Sequence, residues 1–198
     1  IGNQDIDTLS GQGITGEGVT VTFSGDESGT LTGNTSGDEA DFIEIEKVVT
    51  TDQDDTIDGT GSPNGIDVDA GDGDDTITGG TGGDTIDGGD GDDVVYGGAG
   101  NDLLADGDTG SDVLYGGDDD DRLSSTSGAD TLYGGAGNDN LNGGTGNDIL
   151  VGGQGDDSLQ GNTGDDIYRY ALGDGNDTIA NTTDYRETKN NQLQLIGF

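Results

Sequence analysis

The sequence predicts an all-β solenoid made by stacking a nine-residue unit. Three observations predict it. The phrase Gly-Gly-x-Gly-x-Asp-x-apolar-x recurs in tandem through much of the 198-residue chain. An aliphatic residue fills its eighth position in almost every copy, and an aspartate fills its sixth. Outside those phases the chain has the composition of a coil. It carries 43 Asp or Glu against 5 Lys or Arg, and Leu, Ile, Val and Phe make up about 19% of it. That lies just under the ~20% below which a highly charged chain is expected to stay disordered.

The unit is clearest at residues 79–87, 88–96 and 97–105, and again at 134–142, 143–151, 152–160 and 161–169. Its glycines permit positive φ and close backbone approach, so the first six residues turn the chain. The last three form a short strand whose middle residue points opposite to its neighbours. The inward positions are then Ile77, Ile86, Val95, Leu104, Leu114, Leu123, Leu132, Leu141, Leu150, Leu159, Tyr168 and Ile179. Two units, about 18 residues, complete a coil, and stacked coils give two parallel sheets facing across a thin core. One buried apolar residue in nine is a small return against an ordering cost of about 1–2 kcal/mol per residue. The fold needs a second source of stability.

The flanks depart from the unit in order. Residues 1–50 lack it but contain strand-like stretches: Val19 to Phe23 alternates cleanly, with further candidates at 30–32 and 42–45. They are expected to form a β-rich extension or cap, because the end coil of a solenoid must be shielded. The repeats are expected to span 51–180, with regular copies at about 70–169. Residues 51–58 keep Asp55 and Ile57 without the glycines, and 59–69 carry the sole proline, Pro63, with Ile66 where an aspartate belongs. Residues 106–112 hold one extra residue, predicting a bulged turn. Asp119 replaces a glycine, and 125–130 lacks the leading glycine pair. Residues 181–198 are expected to supply a capping strand at 192–196, with Arg186 and Lys189 before it as solvated cations.

Charge and composition exclude several functions. A net charge of −38 repels nucleic acid and acidic membrane surfaces. No apolar run approaches the ~18 residues of a membrane span. The start, Ile1-Gly2-Asn3-Gln4, has neither the basic nor the apolar part of a signal peptide, and the missing Met reads as a piece of a longer protein. The chain has no Cys and no His, hence no thiolate nucleophile and no imidazole base. It is not expected to be an enzyme.

The tandem units resemble the RTX (repeats-in-toxin) family, over roughly residues 50–180. The resemblance implies a right-handed parallel β-roll that binds Ca²⁺ in its turns. Its sixth-position aspartates would be the ligands. Asp75, Asp93, Asp112, Asp130, Asp148 and Asp166 would line one edge, and Asp84, Asp102, Asp121, Asp139, Asp157 and Asp177 the other. Turn glycines would add backbone carbonyls. On the first edge these are Gly71, Gly73, Gly89, Gly91, Gly107, Gly110, Gly128, Gly144, Gly146 and Gly164. On the second they are Gly80, Gly82, Gly98, Gly100, Gly117, Gly135, Gly137, Gly153 and Gly155. Calcium suits such a set, since it takes six to eight oxygens in flexible geometry, whereas Mg²⁺ demands a strict octahedron. About ten ions are expected, with a range of eight to eleven. The turns spanning 106–130 are expected to be the least regular sites, and the one carrying Ile66 to bind none.

The same resemblance implies a module of a type I-secreted protein from a Gram-negative bacterium. It would be unfolded at low calcium and folded outside the cell or on its surface. The alternative is a calcium-dependent adhesin or polysaccharide-binding module. The outward strand positions add a candidate surface: one sheet repeats apolar residues with Tyr96, Tyr115 and Tyr133, while the other is mostly polar. That face is either cross-strand packing alone or a docking surface for the flanking segments, a second copy or a neighbouring domain.

Overall fold

A computed structural model describes residues 8–10, 19–25, 28–33, 39–43, 47–180 and 192–196. No helix occurs among them. The chain winds into a parallel β-solenoid of about seven turns, the β-roll expected.

Two sheets form its faces. The first has nine strands, all parallel, running from Thr8–Ser10 through Lys47–Val49, Asp67–Asp69, Thr85–Asp87, Leu103–Ala105, Arg122–Ser124, Asn140–Asn142 and Ser158–Gln160 to Thr178–Ile179. The second stacks Val19–Gly25, Thr56–Asp58, Thr76–Gly80, Val94–Ala99, Val113–Asp118, Thr131–Ala136, Ile149–Gln154, Ile167–Ala171 and Gln192–Ile196 in parallel. At its N-terminal edge Ser28–Gly33 and Glu39–Ile43 continue it as an antiparallel meander. The expected strand at 30–32 is therefore longer, and that at 42–45 begins earlier; Ile45, Arg186 and Lys189 lie outside the described residues.

Register carries the inward phase from coil to coil. Val95 pairs with Leu114, Leu114 with Leu132, Leu132 with Leu150, and Leu150 with Tyr168. The opposite sheet stacks Ile86, Leu104, Leu123, Leu141 and Leu159 in the same way. All of these are buried, so most of the core is one ladder per sheet, joined near its N-terminal end by Val19, Ile66 and Ala70. The extra residue at 106–112 is absorbed within its turn, because Val94 still pairs with Val113. Ile179 departs from expectation. It is 39% exposed, since its strand is the last of its sheet among the described residues and no further coil covers it. Tyr168 replaces an aliphatic residue and stays buried because its hydroxyl accepts the Gly161 N–H at 3.0 Å.

Candidate metal centre

The turns carry two rows of aspartates along the stack. Each regular turn ends on its sixth-position aspartate, immediately before a strand whose first N–H bonds the carbonyl of the corresponding aspartate one coil earlier. Val94 donates to Asp75 at 2.9 Å and Leu103 to Asp84 at 2.8 Å. This pins each aspartate backbone at the turn–strand junction. Eleven of the twelve expected aspartates are buried, and Asp177, in the last coil, is half-buried.

Apart from Asp130, whose Oδ2 also accepts the Ser125 hydroxyl, their side chains are tied to the stack through Oδ1. In the Asp75 row, the backbone N–H of each aspartate donates to Oδ1 of the next: Asp75 to Asp93, Asp93 to Asp112, Asp112 to Asp130, Asp130 to Asp148 and Asp148 to Asp166, at 2.7–3.2 Å. The Asp84 row repeats this from Asp84 to Asp102, Asp121, Asp139, Asp157 and Asp177, at 2.7–3.1 Å. The second oxygen is different. Oδ2 of Asp75, Asp84, Asp93, Asp102, Asp112, Asp121, Asp139, Asp148 and Asp157 is buried and accepts no hydrogen bond from the described residues. A buried acceptor left without a donor costs about 1–3 kcal/mol, and more when charged. A row of them requires a partner from outside the chain.

Electrostatics agree. Burial raises the Asp75 carboxyl to about 8; the Asp55 N–H bond opposes the rise, and the charges of Asp93 and Asp55 add to it. Burial likewise lifts Asp84, Asp121 and Asp148 to about 7 and Asp93 and Asp139 to about 6, each opposed by a backbone N–H. Burial also raises Asp102, Asp157 and Asp177. Such groups must either take a proton or share a cation. Their donor set is oxygen-only, anionic and repeated at each coil, which matches a hard divalent ion.

The glycines make the close stacking possible. A Cβ on Gly89 would lie 1.7 Å from the Gly71 carbonyl oxygen one coil earlier, and φ there is 101°. The other glycines expected as carbonyl donors share positive φ, apart from Gly82. Asp119 departs from the phrase only in sequence: it takes φ 77°, filling the backbone role of the missing glycine, and Asp121 beside it keeps its place in the row. Asn162 does the same at φ 61°.

Two features escaped the sequence reading. The fifth position forms an outer ladder. Asp92 N–H donates to Asp74 Oδ1 at 3.0 Å, Ser111 N–H to Asp92 Oδ1 at 2.8 Å, and Asn138 N–H to Asp120 Oδ1 at 2.7 Å. Asp156 and Asn176 continue it from Asn138 at 3.0 and 2.9 Å. The recurrence of Asp and Asn just before the sixth position was the available signal. The other is Asp106, which opens the turn with the extra residue and is buried.

The turn carrying Ile66 has no carboxylate, and the Ile66 N–H simply donates to Asp84 Oδ1 at 2.7 Å. The Asp84 row therefore begins only at the fourth strand of its sheet, Thr85–Asp87, one coil later than the row headed by Asp55.

Comparison with known families agrees with this geometry. The model of the RTX calcium-binding nonapeptide repeat matches four times, at residues 69–104, 105–132, 116–150 and 142–179. No curated protein matches the chain. The matched stretches cover more than half of the sequence and coincide with the coils whose aspartates carry the lone buried oxygens. The chain belongs to the family of RTX calcium-binding nonapeptide repeats, and its β-roll is a calcium-binding structure.

Proposed function

We propose that the chain is a calcium-triggered folding module. The single observation that carries this reading is the row of buried Oδ2 atoms without donors. Aspartates of each row would hold the ions, with carbonyls of the turn glycines as further oxygen donors. Six aspartates per row leave five gaps, so about ten ions are expected. Each ion cancels two charges and links two coils, which turns a repelled stack into a cross-linked one.

The compartment follows from affinity. Extracellular calcium modules bind at about 10⁻⁴–10⁻³ M. At low cytosolic calcium the chain, with net charge −38, stays open and passes through a type I secretion channel. Outside the bacterium it fills and folds, and so stabilises the larger protein that carries it. Binding of an acidic polysaccharide is disfavoured by the groove along the Asp75 edge, lined by Asp69, Asp72, Asp87, Asp90 and Asp108. The Tyr96, Tyr115 and Tyr133 rings stack at 4.8 Å and within 4° of parallel, which supports cross-strand packing as their first role.

Far-UV circular dichroism with chelator, then with Ca²⁺ or Mg²⁺, tests the proposal. A coil in chelator that becomes β-rich only with millimolar Ca²⁺ is expected. A chain fully folded in excess chelator overturns it.

A further inference from the structure

The turn at residues 106–112 differs from its neighbours in two ways that belong together. In the regular turns of the same row the sixth-position carboxylate folds back over the first glycine. A Cβ there would lie 2.5 Å from Oδ2 of Asp93 at Gly88, 2.5 Å from that of Asp148 at Gly143, and 2.3 Å from that of Asp166 at Gly161. A side chain at this place must displace the carboxylate or engage it. Asp106 stands at this place, in the turn with one additional residue.

Room is made, and a third carboxylate enters. Asp106, Asp112 and Asp130 are all buried, and one carboxylate oxygen of each lies within 4.8 Å of the other two. Backbone bonds hold all three. Asp106 Oδ1 accepts the Thr126 N–H at 3.1 Å, Asp112 Oδ1 accepts that of Asp93 at 2.7 Å, and Asp130 Oδ1 accepts that of Asp112 at 2.9 Å. Ser125, at the corresponding place one coil on, donates its hydroxyl to Asp130 Oδ2. Oδ2 of Asp106 and of Asp112 remain buried without a donor. Three carboxylates held this closely, two of them with unsatisfied oxygens, are unfavourable without a cation.

We propose that Asp106, Asp112 and Asp130 form a three-carboxylate cation site, distinct in composition from the two-carboxylate sites of the regular turns. It rests on the reading that the aspartate rows hold calcium, and adds a ligand from outside the repeated phrase. Ligand charge is a main determinant of affinity at oxygen sites. This site therefore fills first on calcium addition and prefers a trivalent lanthanide more strongly than its neighbours do. The interrupted stretch, rather than the most regular one, is where ordering by metal begins.

Calorimetric titration of the full chain with Ca²⁺, and lifetime measurement of one equivalent of Tb³⁺, test this. The native chain is expected to show one ion per chain bound at least about tenfold more tightly than the rest. Asp106→Gly, which restores the residue of the repeat, should delete that step and shift the onset of the dichroism change to higher calcium. Asp106→Asn, which keeps the shape, should weaken it and shorten the Tb³⁺ lifetime as water replaces a carboxylate oxygen. Superimposable isotherms and lifetimes for all three chains overturn the proposal. A native chain that takes up no calcium in equilibrium dialysis overturns the calcium reading as well, and the dialysis separates the two failures.

Discussion

Asp55 and Asp75 occupy the same phase of successive coils, yet their carboxylates are satisfied in different ways. Asp55 sits at the head of its row. Its Oδ2 accepts the Thr51 N–H at 2.7 Å and the Thr51 hydroxyl at 3.0 Å, and its Oδ1 accepts the Val19 N–H. Asp75 accepts the Asp55 N–H at 2.6 Å on Oδ1 and nothing on Oδ2. The coil of Asp55 therefore completes the carboxylate from within the protein, while the glycine turns leave one oxygen of Asp75 without a donor. On the proposed function, the coil of Asp55 would hold without metal, whereas the glycine coils would depend on it.

The largest effect that could break this contrast is an aspartate substitution in each region. Asp148→Ala should remove a ligand from two adjacent sites and strip the Asp130 N–H of its acceptor at 3.0 Å. The calcium midpoint of folding should rise several-fold. Asp55→Ala should also destabilise the roll, by about 1–3 kcal/mol for the donors left unsatisfied, but with an unchanged dependence on calcium. Equal calcium slopes for both variants in dichroism titrations would erase the distinction.

Acid provides the second test. In the metal-free stack the row carboxyls lie above their ordinary value, at about 8 for Asp75 and about 7 for Asp84 and Asp148. A group raised in the folded state stabilises it fully below its unfolded value, near 4, and loses that contribution as pH climbs through the folded value. Without metal, β-structure should therefore be greater at pH 4 than at pH 8. With calcium the trend reverses, because protons compete with the ion. Chelated samples that gain order as pH rises would contradict the burial of these rows.

Smaller effects sharpen the role of the turns. Gly89→Ala introduces a methyl 1.7 Å from the Gly71 carbonyl at a φ of 101°, whereas a Cβ on Gly173, at φ 102°, meets nothing within 4 Å. Both variants carry the left-handed strain of about 1–2 kcal/mol, but the first should lose distinctly more stability in urea at saturating calcium. Asp119→Gly should gain about 1 kcal/mol or less, since the residue already holds φ 77°. Smallest of all, replacing Tyr96, Tyr115 and Tyr133 together by Ser should leave calcium uptake unchanged. Sedimentation that is also unchanged would reject a docking role for that face.

Much of this was legible because the repeat couples phase to environment. Leu at the eighth position and Asp at the sixth recur with the coil, so the ladders of Leu114 and Leu132 and of Asp93 and Asp112 could be read directly. Ile179 could not, because its phase is correct while its burial depends on a coil beyond it. Asp119 looked like a break, since composition does not reveal that an aspartate can adopt the glycine conformation. Asp106 was hidden for a related reason: an inserted residue and a lost glycine both read as damage to the phrase. Only the proximity of its carboxylate to Asp112 and Asp130 gives them a joint purpose.

The inner and outer ladders run in opposite senses. Toward the following coil a turn offers the sixth-position N–H and the fifth-position Oδ1; toward the preceding coil it offers the converse pair, as at Asp74, Asp75, Asp92 and Asp93. Every turn is thus a plug on one side and a matching socket on the other. A whole coil can be inserted or deleted with every plug still meeting a socket, whereas a single unit would place a strand of one sheet in the other. Length can therefore vary in steps of two repeats without redesign of any contact.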